Sequence, residues 1–153
     1  MKTKYKIFIA KIISKLLTIF ISKNQIVKRN KIKWNLDLNE GIDLSVYLFG
    51  TSERKISNIK KLLSNKNSSP TIIDIGANIG SVSLLLAKIF EKPRIFAIEP
   101  TNYAYNKLIN NLKLNKELEN KIFLRQLFIT NNKTPKKVWS SWNFDRSKDK
   151  HQK

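Results

Sequence analysis

The chain has 153 residues, 30 Lys+Arg against 11 Asp+Glu, a formal net charge of +19, one His and no Cys. That length holds one domain with a real hydrophobic core and hardly two, while the missing cysteines exclude a disulfide framework, a thiolate metal site and a cysteine nucleophile. The single His151 lies in a charged tail, so a histidine triad or a multi-histidine metal site is excluded within this chain.

The charge is unevenly spread: residues 1–70 carry 15 Lys+Arg against 4 acids, residues 71–130 carry 8 against 5, and residues 131–153 carry 7 against 2. The middle is the most balanced and most apolar part, where a core is expected. Residues 4–22 read as a helix. Ile9, Ile12, Ile13, Leu16, Leu17 and Phe20 share one face at 3.6-residue spacing, and Lys11, Ser14, Lys15, Thr18 and Ser22 fall opposite. The apolar stretch 7–21 contains two lysines and is shorter than the ~20 residues of a membrane span. It also lacks the clean apolar run and cleavage site of a signal peptide. Two readings stay open: a basic helix lying on an anionic membrane surface, or a helix packing its apolar stripe on the domain.

Ile32, Trp34, Leu36 and Leu38 alternate with polar residues, which predicts a strand; Asn39-Glu40-Gly41 reads as a turn and residues 42–48 as the returning strand of a hairpin. Thr51 or Ser52 is placed as the cap of a helix running to about Leu63, with Glu53 in its first turn. The polar run 64–70 then breaks it. Residues 71–75 (TIIDI) form a short buried-type strand, 76–80 a tight turn, 81–90 a helix, 94–98 a second strand ending in Glu99-Pro100, 102–114 a second helix and 122–129 a third strand. This β-α-β-α-β order with short connections predicts an α/β fold with parallel strands. Residues 131–153 show no sustained periodicity, although Val138, Trp139, Trp142 and Phe144 offer one further strand or packing patch.

In such a sheet, ligands bind beyond the carboxyl ends of the strands, near the first strand-to-helix turn. Gly76 and Gly80 permit positive φ and close approach to the backbone, and Asn78 tolerates left-handed geometry. A helix beginning at Ser81 is expected to point free N–H groups into the turn. Asp74 can receive an ammonium, and Glu99 can accept both hydroxyls of a ribose. A dinucleotide site wants Gly-x-Gly-x-x-Gly. This chain has Gly76-x-x-x-Gly80, no glycine at position 78, and an acid at 74 that would repel a pyrophosphate but suits a zwitterionic methionine group.

Asp74-x-Gly76-Ala77-Asn78-x-Gly80, Glu99-Pro100 closing the second strand, and Asn110-Asn111-Leu112-x-Leu114-Asn115 ending the next helix resemble the FkbM family of S-adenosylmethionine-dependent methyltransferases. The resemblance extends over roughly residues 34–130, with the upstream hairpin and Ser52-Glu53 included. It implies a Rossmann-like class I methyltransferase fold and S-adenosyl-L-methionine as cofactor. Asp74, Gly76, Ala77, Asn78 and Gly80 would surround its methionine part, Glu99 would hold the ribose, and Pro100 would border the adenine. Gln126 and Leu127 are weaker candidates for the adenine wall. It further implies methylation of a hydroxyl oxygen on a sugar, glycolipid or related small-molecule acceptor.

Only the first three parallel strands of that fold are legible, so the domain over 31–130 is expected to be incomplete, between a basic extension (1–30) and a basic tail (131–153). A truncated, non-catalytic remnant docking on a partner or membrane is the alternative, and the open sheet edge invites self-association. Lys, Ile and Asn total 25, 21 and 17 residues, the signature of A/T-rich codons, and only five cations are Arg. RNA methylation is accordingly the least favoured reading. No residue qualifies as a catalytic base, since Asp145 and Asp149 lie among cations, and no metal site is expected. The expected location is cytoplasmic, with peripheral attachment to the inner membrane face if the first helix meets lipid.

Overall fold

In the computed structural model, which describes residues 3–51, 58, 59, 61 and 69–131, contacts divide the chain into two units, Met1–Thr51 and Ser52–Lys153. The first unit contains α1 (Thr3–Phe20), β1 (Asn24–Arg29), β2 (Ile32–Asp37) and α2 (Gly41–Phe49). Strands β1 and β2 pair antiparallel from Asn24↔Asp37 to Arg29↔Ile32. The two residues between them, Asn30 and Lys31, have φ of 53° and 60°. Positive φ at both central positions is the mark of a type I′ turn, whose twist suits a two-residue hairpin.

The hairpin therefore lies one strand upstream of its expected place, and a boundary after residue 30 falls inside its turn. Residues 42–48, expected as the returning strand, are helical. A strand would bury Ile42, Leu44, Val46 and Leu48 together and expose Asp43. The reverse holds for the decisive residues: Ile42 is 44% exposed and Leu48 37%, whereas Asp43 is buried. Its Oδ2 accepts the Asp37 N–H at 2.7 Å, at the end of β2, so the carboxylate is satisfied where it is buried. Ile32, Trp34, Leu36 and Leu38 form the core of this unit as the alternation predicts, and the Trp34 indole N–H donates to the Arg29 carbonyl at 3.2 Å.

Helix α1 forms as expected, but its orientation differs from simple packing of the apolar stripe. Ser14 is buried and its hydroxyl donates to Asn39 Oδ1 at 3.1 Å, while Ile9, Ile12, Leu16 and Phe20 are exposed.

The second unit runs β3 (Thr71–Ile75), α3 (Ser83–Ile89), β4 (Arg94–Ile98), α4 (Asn102–Lys113), a 3-10 turn (Lys116–Lys121) and β5 (Ile122–Arg125). The sheet order is β3-β4-β5, all parallel, with Ile73↔Phe96 and Phe96↔Phe123 in register. This is the βαβαβ arrangement of a Rossmann-like fold. Ile95, Ala97 and Ile122 are buried, as are Leu84, Leu85 and Leu86 of α3 and Leu108 and Leu112 of α4. The Lys121 ammonium donates to the Ala87 and Phe90 carbonyls, at 2.9 and 3.1 Å, satisfying the C-terminal end of α3.

The third strand stops at Arg125 rather than running to 129. Its neighbour β4 ends at Ile98 and is followed by Glu99-Pro100; Glu99 makes one last bond to the Arg125 carbonyl at 3.1 Å, and Pro100 has no N–H to continue the ladder. The predicted helix over 51–63 falls outside the described residues except at Thr51, which is a bend, and at 58, 59 and 61, which are helical. The polar run at 64–68 and the tail with Val138, Trp139, Trp142, Phe144, Asp145, Asp149 and His151 also lie outside them.

Candidate functional site

Parallel pairing of β3 and β4 in register, Ile75 opposite Ile98, brings the 76–80 turn and Glu99 to the same end of the sheet. The Gly76 and Ala77 N–H groups both donate to the Ile98 carbonyl at 2.9 Å, which ties the turn across the end of β4. Gly76, Asn78 and Gly80 have φ of 78°, 52° and 89°, the left-handed geometry that glycine and asparagine accept most readily.

The two glycines serve different ends. A Cβ on Gly80 would lie 2.4 Å from Leu84 Cδ1 and 2.5 Å from Leu108 Cδ1, so this glycine lets both helices close on the turn. A Cβ on Gly76 would meet nothing within 4 Å. The backbone at Gly76 thus borders open space at the carboxyl end of the sheet.

Glu99 is 5% exposed, and its carboxylate faces this turn. Oε2 accepts the Asn78 N–H at 3.0 Å; Oε1 accepts the Thr101 N–H at 2.9 Å and the Thr101 hydroxyl at 2.6 Å. A carboxylate offers about four lone-pair positions, so these three donors leave roughly one. Release of a second requires only that the Thr101 hydroxyl rotate. Asp74, half-buried on β3, accepts the Ser83 hydroxyl at 2.6 Å on Oδ2, and its Oδ1 takes no hydrogen bond among the described residues.

The N–H groups of the turn itself are all taken up within the chain. Asn78 N–H goes to Glu99, Ile79 N–H to the Asn78 side chain at 2.8 Å, and Gly80 N–H to the Ala77 carbonyl at 2.8 Å. Helix α3 begins at Ser83 instead of Ser81. Every N–H from 76 to 80 is therefore engaged, so that any free donors lie at the start of α3 and the turn itself is faced by the acceptors of Asp74 and Glu99. Such a surface favours a ligand carrying an ammonium and hydroxyls over a pyrophosphate, which needs donors.

Asp74, Gly76, Ala77, Asn78, Gly80 and Glu99 are thus brought together, and Pro100 follows half-buried at the end of β4. Gln126 and Leu127 lie exposed beyond β5, and Gln126 donates through its side-chain amide to Asn102 Oδ1. Three residues to which the sequence assigned no task in the site position it. Ser83 holds Asp74, Thr101 holds Glu99, and Asn111, fully buried on α4, donates to the Ile79 carbonyl at 3.0 Å. A polar residue in the otherwise apolar helix start, the first residue after Glu-Pro, and an asparagine on a buried helix face were the available signals. Asn115 then donates to the Asn111 carbonyl at 2.7 Å, closing the end of α4.

No family model matches the chain. It is similar to the methyltransferase sdnD of Sordaria araneosa, 41% identical over 56 residues, which are 37% of this chain and 22% of that protein. Among solved structures it is similar to M. jannaschii TYW2 in complex with AdoMet, at 26% identity and a TM-score of 0.48, covering 69% of this chain and 44% of that one. It is also similar to P. horikoshii TYW2 in complex with MeSAdo, at 22% identity and a TM-score of 0.49, covering 81% and 48%. The chain spans about a fifth of the curated relative it matches.

Proposed function

We propose that the sheet unit holds the S-adenosyl-L-methionine site of a methyltransferase. The observation that carries this reading is the pairing of an open Gly76 backbone with two carboxylates, Asp74 and Glu99, at the carboxyl ends of adjacent parallel strands, where no turn N–H is free. The fit follows from charge and hydrogen bonding. Asp74 Oδ1 would take the ammonium of the methionine part, Gly76 and Ala77 would border it, and Glu99 would accept from the ribose hydroxyls, with Pro100 beside the adenine. The partial match to a protein named as a methyltransferase supports the same class.

When bound, the cofactor supplies a methyl carbon activated by sulfonium charge. The residues of this chain hold and orient it: Ser83 fixes the Asp74 carboxylate, Glu99 holds the turn at the Asn78 N–H and Asn111 holds it at the Ile79 carbonyl. At a finer level the reading is a methyltransferase of the FkbM type, acting on a hydroxyl oxygen of a sugar, glycolipid or related metabolite. The Asp-x-Gly-Ala-Asn-x-Gly, Glu-Pro and Asn-Asn-Leu motifs support it, and Asn111 has a defined structural task in it.

Calorimetric titration of the full chain with S-adenosyl-L-methionine, with NAD as a control ligand, tests the proposal. Saturable binding of the first ligand alone is expected, weakened about tenfold or more in Glu99→Gln, which keeps the shape but loses the charged acceptor. Equal binding of NAD, or no binding by a chain whose circular dichroism shows it folded, would overturn it.

A further inference from the structure

Helix α1 is apolar on more of its circumference than its own unit covers. With about 100° of rotation per residue, Phe8, Ile9, Ile12, Leu16, Ile19 and Phe20 fall within an arc of about 120°. All six are exposed, with Phe8 at 63%, Ile19 at 71% and Phe20 at 85%. Ser14, which the unit buries and bonds to Asn39, lies about 180° from the middle of that arc. The helix is thus anchored by the side that carries Ser14 with half-buried Ala10, Ile13 and Leu17, and a further apolar arc is turned to solvent. Exposed Lys11 and Lys15 lie along one border of the arc.

We propose that this arc is a docking surface for an anionic lipid bilayer, with α1 lying in the plane of the headgroup region. Charge selects this occupant. Residues 1–51 carry ten Lys+Arg and three acids, of which Asp43 is buried and hydrogen-bonded inside the unit. A second copy would bring the same positive excess to the contact, whereas anionic headgroups attract it. Shape points the same way: the arc is the convex side of one helix, which a bilayer surface accepts without a matching groove. An 18-residue helix is about 27 Å long, and among the described residues no helix is long and apolar enough to cross a membrane, so the geometry is in-plane insertion. Apolar side chains then enter the acyl boundary while the lysine stems reach back to phosphate.

Flotation of the full chain with phosphatidylcholine vesicles containing about 30% phosphatidylserine, and with phosphatidylcholine alone, tests this at about 150 mM salt. The chain is expected to float with the anionic vesicles only, and the double substitution Ile12→Gln with Ile19→Gln to weaken binding about tenfold or more without changing circular dichroism. In a separate variant, Phe20→Trp, emission is expected to shift to the blue on anionic vesicles and to be quenched by brominated acyl chains. Three outcomes would overturn the proposal. One is no flotation by the folded chain. Another is flotation that the Gln pair leaves unchanged, meaning nonspecific adsorption of a cationic chain. The third is a lipid-independent dimer that the Gln pair dissolves, making the arc a contact between copies.

Discussion

Each unit contains a tight turn built on an asparagine with positive φ, and the space over the two turns is used differently. Over the Asn30-Lys31 turn the protein fills it: Asn30 Oδ1 accepts the Thr51 N–H at 2.8 Å and the Thr51 hydroxyl at 3.1 Å, and a Cβ on Gly50 would lie 2.5 Å from that oxygen. Over the 76–80 turn, Asn78 folds its side chain back on the Ile79 N–H, and a Cβ on Gly76 would meet nothing within 4 Å. Left-handed backbone is common to both, so strain by itself does not mark a site. The difference is whether the chain's own groups close the volume above the turn.

Substitutions at the two turns can break or sharpen this contrast. The largest effect is expected from Gly80→Ala. Its methyl would collide with Leu84 and Leu108 at a φ of 89°, and denaturant unfolding should show a loss of about 3 kcal/mol or more. Next comes Asn30→Ala, which strands the two donors of buried Thr51 and places alanine at positive φ. Unfolding of the first unit should come about 2 kcal/mol easier, with affinity for S-adenosyl-L-methionine unchanged. Asn111→Ala removes the bond to the Ile79 carbonyl and is expected to lose about 1.5 kcal/mol. It should also lower that affinity several-fold, since the turn is no longer pinned from α4. Gly76→Ala is the sharpest comparison with Gly80→Ala. Backbone strain alone should lower stability by about 1 kcal/mol, while the methyl enters the open space and reduces S-adenosyl-L-methionine affinity about tenfold. Equal loss of stability in the two glycine variants would contradict their separate tasks.

The second unit was legible because its signals are local and agree. TIIDI and RIFAI are apolar runs of strand length, separated by a turn with two glycines and a helix, and such segments admit few other conformations. The first unit was misread because one signal was ambiguous. Residues 41–49 contain apolar residues at both strand and helix spacing, and only tertiary burial, of Asp43 against the Asp37 N–H with Ile42 and Leu48 left exposed, separates the two. The hairpin turn was missed for a related reason. Lysine at the second turn position is not the glycine that marks a type I′ turn, and cross-strand pairing of Val27 with Trp34 outweighs the local preference.

The candidate site divides in the same way. Sequence alone determined which residues could meet there, because parallel strands joined by short connections bring consecutive strand ends to one edge, and Asp74, Gly76, Asn78, Gly80 and Glu99 all sit at such ends or in the turn. Only the tertiary structure decided what each one offers. The direction of an N–H and the filling of a space depend on partners distant in the chain: Ile98 takes two turn N–H groups, Leu108 crowds Gly80, and Asn111 holds Ile79. Helix α1 obeys the same division. Its spacing determined that it is helical and apolar along one arc, while the Ser14–Asn39 hydrogen bond decided that the arc faces outward, because a helix is oriented by what it packs against.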